Sequence, residues 1–187
     1  ILSFLSGETL ELNKPQLSVF ISFVLLAIIL TPVQATFEEI FFRGYILQGL
    51  ALRTKNIILL CLINGALFMI PHLLNPEAME YGFRQYIVGI VLSGGFFTLL
   101  TIKDNGLEIP MGYHSINNLF IFIFINTETS VMQTPSLFIS TGIEETGYTW
   151  SMIMYEFILY SIAYAIFSRK YNWNNDWVAD IKSKFIN

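Results

Sequence analysis

The chain has few charged residues and a single cysteine, Cys61. Of its 187 residues, 13% are charged and 54% are hydrophobic, whereas soluble domains carry about 25% charged residues. The composition therefore indicates an integral membrane protein. One cysteine excludes an internal disulfide framework and a cysteine-rich metal site. The net charge of −4, with no basic stripe, gives no indication of nucleic-acid binding.

Long apolar stretches predict an all-α, polytopic membrane helix bundle. A membrane span needs about 20 mostly apolar residues, and the sequence contains about five such stretches. Residues 126–148 are predicted to form the longest polar loop. Residues 169–187 are predicted to form an amphipathic cytoplasmic tail, because large apolar residues recur there about every four positions. We expect one transmembrane domain, residues 1–187, with spans at residues 16–52, 56–74, 84–102, 109–125 and 150–167.

Basic residues near the ends of the predicted spans indicate the orientation of the bundle. Arg53 and Lys55 lie between the first two spans, and Lys103 lies between the third and the fourth. Because cytoplasmic loops carry an excess of Lys and Arg, we expect these loops and the tail in the cytoplasm. The chain begins with Ile1 and has no secretory signal with a basic first region. We therefore expect that it is truncated at its N-terminus.

Five Glu, Arg and His side chains lie inside apolar stretches of the first, second and fourth predicted spans. A charge at the centre of a membrane helix costs about 2.5–3.5 kcal/mol on insertion scales, so an ionisable residue at that depth indicates a functional site. We interpret the five as parts of one buried reaction centre. They are Glu38, Glu39, Arg43, His72 and His114.

The carboxylates of the first span and the imidazole of the second are predicted to lie at one depth. Glu38 and Glu39 precede the turn between these spans by about 15 residues, and His72 follows it by about 17. At about 1.5 Å per residue, both groups lie about 22–26 Å from the turn. Glu39 and Arg43 have the i,i+4 spacing of a salt bridge that offsets part of the burial cost. Glu38 is rotated by about 100° and is free to face another helix as a general base.

Polar residues also recur at helical spacing in the second and fourth spans. Asn64, Phe68 and His72 form one stripe. His114 and Asn118 are one turn apart and can point into the same cavity. A Glu with a His can deprotonate water, and a second His with an Asn can donate hydrogen bonds to an oxyanion. With no serine or cysteine nucleophile pattern, these residues predict peptide hydrolysis within the membrane. Phe68 is expected to pack against the site, and Asn64 to form a hydrogen bond between helices.

Three short motifs lie on the first, second and fourth predicted spans. They are Glu38-Glu39-x-x-x-Arg43, Phe68-x-x-x-His72 and His114-x-x-x-Asn118. In order and helical placement they resemble the motifs of the CPBP (Abi) family, the CAAX proteases and bacteriocin-processing enzymes. The eukaryotic branch of that family is the Ras-converting prenyl-protein endopeptidase. The resemblance covers about residues 37–125 and implies an intramembrane protease.

For the chemistry, the resemblance implies that Glu38 and His72 activate a water molecule, and that His114 and Asn118 form an oxyanion hole. The substrate is then a peptide or protein in or at the lipid bilayer, and no nucleic acid is expected as a partner. A prenylated CAAX protein, a bacteriocin or pheromone precursor and a leader peptide all stay open as substrates. The composition, rich in Ile, Asn and Phe, is typical of an AT-rich bacterial genome. We therefore favour a bacterial cytoplasmic membrane as the location.

For the architecture of the site, the resemblance implies that Glu39 and Arg43 hold the site together or help to orient the substrate. A purely structural ion pair between these two residues is compatible with catalysis by Glu38. Small residues in the spans are expected to allow close approach of the helices. These residues are Gly65, Gly89, Gly94, Gly95 and Gly112.

Other functions stay open on the same residues. Glu38, His72 and His114 can also bind zinc, although the chain has no HExxH motif, and we favour a mechanism without a metal cofactor. A non-catalytic immunity or scaffold protein would keep the motifs for stability. A transporter or channel also places charges within a membrane, but the sequence has no inverted repeat to indicate one.

Overall fold

The computed structural model describes residues 9–76, 78, 82–127, 130–141 and 150–173. Within these residues the protein is a bundle of α-helices, as the composition predicts, with a small three-stranded β-sheet added to it. In chain order the elements are β1 (Thr9–Leu12), α1 (Leu17–Glu39), a π-helical segment (Ile40–Ile46), α2 (Leu47–Ala51), α3 (Ile57–His72), α4 (Phe83–Asp104), α5 (Glu108–Phe124), β2 (Ile125–Thr127), β3 (Phe138–Thr141) and α6 (Trp150–Lys170).

The first three helical elements form one continuous apolar rod. This rod, Leu17–Ala51, has 35 residues. At about 1.5 Å per residue it is about 50 Å long, which exceeds the roughly 30 Å hydrocarbon core of a bilayer. The predicted continuation of the first helix beyond Thr36 is therefore confirmed. Glu38 and Glu39 lie in the interior of the rod and not at its end.

Among the described residues, α4 and α6 are also long and apolar enough to cross a membrane. α3 is apolar but has only 16 residues, and α5 has 17. The number of crossings, predicted as five, stays a prediction. α6 ends at Lys170, slightly beyond the predicted end of the last span. Most of the predicted amphipathic tail, residues 174–187, lies outside the described residues.

Glycines bring α3 and α4 into close contact. A Cβ added to Gly65 would overlap the carbonyl oxygen of Val91, and one added to Gly94 would lie 2.9 Å from the Gly65 Cα atom. The expected close approach is therefore confirmed for these two glycines. The same expectation is wrong for Gly112, because a Cβ built there meets nothing within 4 Å. Gly112 instead lines an open groove of about 570 Å³ that also includes Phe167 of α6 and the following Tyr171.

The β-sheet replaces part of the polar loop predicted for residues 126–148, so that prediction is wrong for the strand residues. β3 is the central strand, antiparallel to β1 and parallel to β2. β2 has 3 residues and β3 has 4, which is too short for a clear alternation of apolar and polar residues. The buried Asn126 fixes the segment after β2, because its amide donates to the Met132 carbonyl and the Thr134 hydroxyl, both at 2.9 Å.

Aromatic side chains pack α4 against α5 and α6. Phe96 is stacked on Tyr160 of α6 with ring centroids 4.4 Å apart. It also meets Tyr113 of α5 edge to face at 5.4 Å. Phe97, the next residue of α4, meets Tyr113 edge to face at 6.1 Å and also contacts His114. α4 thereby connects the peripheral helix α6 with the polar cluster described below.

Candidate active site

A fully buried carboxylate, that of Glu39 at the end of α1, lies at the centre of the polar cluster. Its Oε1 atom accepts a hydrogen bond from Arg43 Nη1 at 2.9 Å and another from His114 Nδ1 at 2.8 Å. Glu39 is 0% exposed and Arg43 is 1% exposed, so water does not compensate either charge and the pairing must do so. The ion pair predicted from the i,i+4 spacing is therefore present. Glu39 also accepts a hydrogen bond from His114, a residue of the third motif.

Arg43 extends from the π-helical segment toward α4. Its Nη2 atom donates to the Gly94 carbonyl at 3.0 Å, so both terminal nitrogens of the guanidinium have an acceptor. The guanidinium carbon lies 4.4 Å from the ring centroid of Phe68 and 5.2 Å from that of Phe97. Both distances are within the range of cation–π attraction. Phe68 therefore packs against the site, as expected.

Hydrogen bonds from α3 support the π-helical segment. Asn64 Nδ2 donates to the Phe42 carbonyl at 3.1 Å and to the Thr98 hydroxyl at 3.0 Å. The expected hydrogen bond of Asn64 between helices is thus confirmed. π-Helical turns are rare and often lie at functional sites. The sequence has no signal for this one, because residues 40–46 continue the apolar pattern of α1.

His114, on α5, lies between two adjacent carboxylates. Its Nδ1 atom is bonded to Glu39, and its Nε2 atom lies 3.8 Å from Glu38 Oε2. Phe97 stacks on the imidazole with ring centroids 4.9 Å apart. Phe97 is a site residue that the sequence analysis missed. It is one of 17 phenylalanines, and its spacing from the motifs does not distinguish it.

Glu38 is the less buried of the two carboxylates, with 20% of its side chain exposed. Its Oε1 atom accepts a hydrogen bond from Gln34 Nε2 at 3.0 Å. Gln34 was also missed, although its i,i+4 spacing from Glu38 is a usable signal. Within the described residues, no Lys or Arg donates a hydrogen bond to Glu38. The carboxylate is therefore only partly buried, has no Lys or Arg partner among the described residues, and lies beside His114.

His72 and Asn118 lie at the edge of the polar cluster. His72 Nδ1 lies 2.8 Å from the Phe68 carbonyl. A carbonyl only accepts, so Nδ1 carries the proton and Nε2 of the neutral ring is an acceptor. In the described part of the chain no hydrogen bond or ion pair joins His72 to Glu38; the Phe68 ring, 4.7 Å from His72 and 6.1 Å from His114, lies between the two histidines. Asn118 is half-buried one turn after His114, and its side chain makes no hydrogen bond to a described residue.

The same side chains do not form a ready-made metal site. Over the described ranges, no three His, Cys, Asp or Glu side chains are grouped so that they could hold a metal ion. The Nδ1 atoms of His72 and His114 are both occupied by hydrogen bonds within the protein. These bonds use only Nδ1, and a histidine that binds a metal through Nε2 usually makes such a bond with its other ring nitrogen. The zinc alternative for Glu38, His72 and His114 and the preferred mechanism without a metal therefore both stay predictions.

The fold and the cluster define a class of protein: a helical membrane protein with a Glu–Arg–His cluster buried between its helices. A family model described as type II CAAX prenyl endopeptidase, Rce1-like, matches residues 19–120. This range includes every residue of the three motifs. The chain therefore belongs to the Rce1-like family of type II CAAX prenyl endopeptidases, and it is an integral membrane protein. The resemblance to CAAX proteases is confirmed, whereas the link to bacteriocin processing stays a prediction.

One curated relative has a similar sequence over much of the chain. The protein is 42% identical over 135 residues to the "Uncharacterized protein YyaK" of Bacillus subtilis (strain 168). The matched region is 72% of this chain but only 45% of that protein. The chain thus spans less than half the length of this relative. No solved structure matches the chain significantly.

Proposed function

We propose that the protein is an intramembrane endopeptidase that hydrolyses a peptide bond of a membrane-associated or precursor peptide. The observation that carries this proposal is the position of His114 between Glu38 and Glu39, at 3.8 and 2.8 Å. His114 is 75 residues from Glu39 in sequence. Ionisable groups that converge in a buried cluster from distant parts of a chain are typical of reaction sites.

Glu38 and His72 are proposed to activate the attacking water. The partly exposed carboxylate of Glu38 takes a proton from the water as general base. His72 donates from Nδ1 to the Phe68 carbonyl, so its Nε2 atom accepts a second hydrogen bond from the same water. The water oxygen then bonds to the carbonyl carbon of the substrate. As the C–N bond breaks, the proton held by Glu38 passes to the leaving nitrogen.

His114 and Asn118 are proposed to stabilise the oxyanion that this attack creates. They lie one turn apart on α5, so their donors can converge on one oxygen atom. Donation from His114 Nε2 requires the imidazolium form, in which Nδ1–H is bonded to Glu39. Glu39, Arg43 and Phe68 are proposed to hold this imidazole in place, because donors fixed before the reaction stabilise developing charge most effectively.

The proposed mechanism requires no metal ion, since Glu38 supplies the base and the His–Asn pair supplies the charge stabilisation. We also propose that the protein crosses a bacterial cytoplasmic membrane several times and that its substrate reaches the site from the bilayer. The similarity to a protein of Bacillus subtilis supports the bacterial location. The three described helices that are able to cross a membrane support the multi-pass arrangement.

Cleavage of an internally quenched peptide library by the purified protein in lipid nanodiscs tests the proposal. Glu38→Gln keeps the size of the side chain but removes the base, so kcat is expected to fall about 10²- to 10⁴-fold. Glu108→Gln is the matched control, because Glu108 is an exposed carboxylate at the start of α5. This control should cleave at the wild-type rate. Equal rates for wild type and Glu38→Gln would contradict the proposal.

A further inference from the structure

A closed chain of hydrogen bonds joins Arg43 of the first motif to residues outside the three motifs, at the contact between α3 and α4. The amide of Asn64 has two N–H groups, which donate to the Phe42 carbonyl at 3.1 Å and to Thr98 Oγ1 at 3.0 Å. Thr98 must then donate its own proton elsewhere, and it does so to the Gly94 carbonyl at 2.8 Å. That carbonyl also accepts from Arg43 Nη2 at 3.0 Å. The chain closes because Arg43 is the neighbour of Phe42.

Each N–H of the Asn64 amide and the Thr98 hydroxyl proton has an acceptor in this arrangement, whereas Asn64 Oδ1 and Arg43 Nε have no hydrogen-bond partner among the described residues. Both protons of the Asn64 amide are used, the Thr98 hydroxyl accepts one bond and donates one, and the Gly94 carbonyl accepts from both Thr98 and Arg43. Rotation of either side chain would leave a buried donor without an acceptor. The chain of hydrogen bonds therefore selects one position for the π-helical segment relative to α4.

Water has no access to replace a bond that is lost. Asn64 and Thr98 are each 0% exposed, and Arg43 is 1% exposed. The backbones of α3 and α4 also meet at Gly65 and Gly94, where a Cβ on Gly94 would lie 2.9 Å from the Gly65 Cα atom. Since the two backbones are already in contact, a missing hydrogen bond has to be absorbed by movement of the Arg43 side chain or of its segment.

We propose that Asn64 and Thr98 are positioning residues of the site: they fix Arg43 and, through the Arg43–Glu39 pair, the orientation of His114. Glu39 Oε1 is shared by Arg43 Nη1 at 2.9 Å and His114 Nδ1 at 2.8 Å. A shift of the guanidinium therefore moves the acceptor that holds the imidazole. The consequence for catalysis rests on the proposed function, whereas the effect on His114 does not.

Thr98→Val is the variant that tests this role, since it replaces only the hydroxyl by a methyl group. Thr101→Val is a matched control one turn later on α4. Thr101 is also buried and also donates to a carbonyl four residues earlier, that of Phe97 at 3.0 Å, but it has no bond to Asn64. Thr98→Ser restores the hydroxyl. Thermal unfolding first establishes that the variants are folded, and Thr98→Ala replaces Thr98→Val if the latter is not.

Steady-state kinetics provide the first readout. A small displacement of a site can reduce turnover about 100-fold, so Thr98→Val is expected to lower kcat about 10- to 100-fold, with KM within about twofold. Thr98→Ser is expected to recover most of the rate, and Thr101→Val to stay within about twofold of wild type. Equal losses in the two valine variants, or no loss in Thr98→Val, would overturn the proposal.

The second readout does not depend on activity. The chain has two histidines, so labelling of histidine nitrogen gives NMR signals from His72 and His114 alone, and the spectrum of His72→Asn assigns them. Thr98→Val is expected to shift the His114 Nδ1 resonance, and Thr101→Val is expected to leave it in place. An unchanged resonance in Thr98→Val would refute the positioning role. If the wild type cleaves no peptide, the proposed function fails, and this spectrum still decides the role of Thr98.

Discussion

The rings of Phe97 and His114 are stacked, with centroids 4.9 Å apart and planes 24° apart. Phe97 is 3% exposed and also lies 5.2 Å from the Arg43 guanidinium. It therefore forms a wall against two members of the polar cluster. The hydrogen bond at His114 Nδ1 fixes one atom of the imidazole but not the tilt of its plane. The stacked ring of Phe97 restricts that tilt.

Replacement of this wall should impair turnover more than binding. Phe97→Leu keeps an apolar side chain but removes the stacked surface, so kcat is expected to fall about tenfold while KM changes little. Phe96→Leu is the control, because Phe96 is stacked on Tyr160 at 4.4 Å and not on a residue of the motifs. Steady-state kinetics of both variants check the prediction. A similar loss of kcat in Phe96→Leu would indicate a general effect of core packing.

Removal of the Glu39 charge should destabilise the fold. Glu39→Gln leaves the Arg43 guanidinium buried without its counter-charge, so the free energy of unfolding is expected to fall by about 3–5 kcal/mol. Equilibrium unfolding in mixed micelles measures the change. The double variant Glu39→Gln/Arg43→Met removes both charges and should regain much of the stability while remaining inactive. A single variant as stable as the wild type would contradict the role of the buried pair.

Chelation should leave the activity intact. Because Glu38 acts as the base in the proposed mechanism, the cleavage rate is expected to stay within about twofold after treatment with a strong zinc chelator. The measurement compares treated protein with untreated protein and with protein to which zinc has been returned. Loss of activity that zinc restores would assign Glu38, His72 and His114 to a metal site.

Two glycine positions should respond oppositely to one added methyl group. Gly65→Ala forces a Cβ against the Val91 carbonyl, and such overpacking is expected to cost about 1–3 kcal/mol of stability. Gly112→Ala places its Cβ in open space on α5, so the higher helix propensity of alanine should raise the stability by about 0.5–1 kcal/mol. The unfolding midpoints of the two variants check this difference. A tolerated Gly65→Ala would show that α3 and α4 separate easily.

The parts of the site that the sequence predicts are those set by one helix at a time. The i,i+4 spacing of Glu39 and Arg43 places both side chains on one face wherever the helix lies in the fold, and the predicted salt bridge is present. The same local geometry places His114 and Asn118 together on α5. The distances from His114 and Asn118 to residues of other helices could not be predicted from this local geometry.

The parts that the sequence did not predict depend on contacts between distant segments. Phe97 and Thr98 acquire their positions in the site from α3 and α5, and an isolated α4 pattern does not distinguish them from their neighbours. Gly112 shows the converse error, since a small residue on a helix does not say whether another helix covers it. The sequence did not predict the short strands β2 and β3 for the same reason. They are stabilised by pairing with each other and with β1, which lies far away in the sequence.

The β-sheet joins the two helices that carry the first and third motifs. β1 precedes α1, α5 continues directly into β2, and β3 pairs with both strands, so that Leu12 and Ile125 are each opposite Phe138. The axial alignment of α1 against α5 is therefore coupled to strand register. A slip of one residue would translate a helix by about 3.3 Å, which is further than the Glu39–His114 hydrogen bond can stretch. The strand pairing at the end of α5 thus helps to determine the axial positions at which Glu39 and His114 meet.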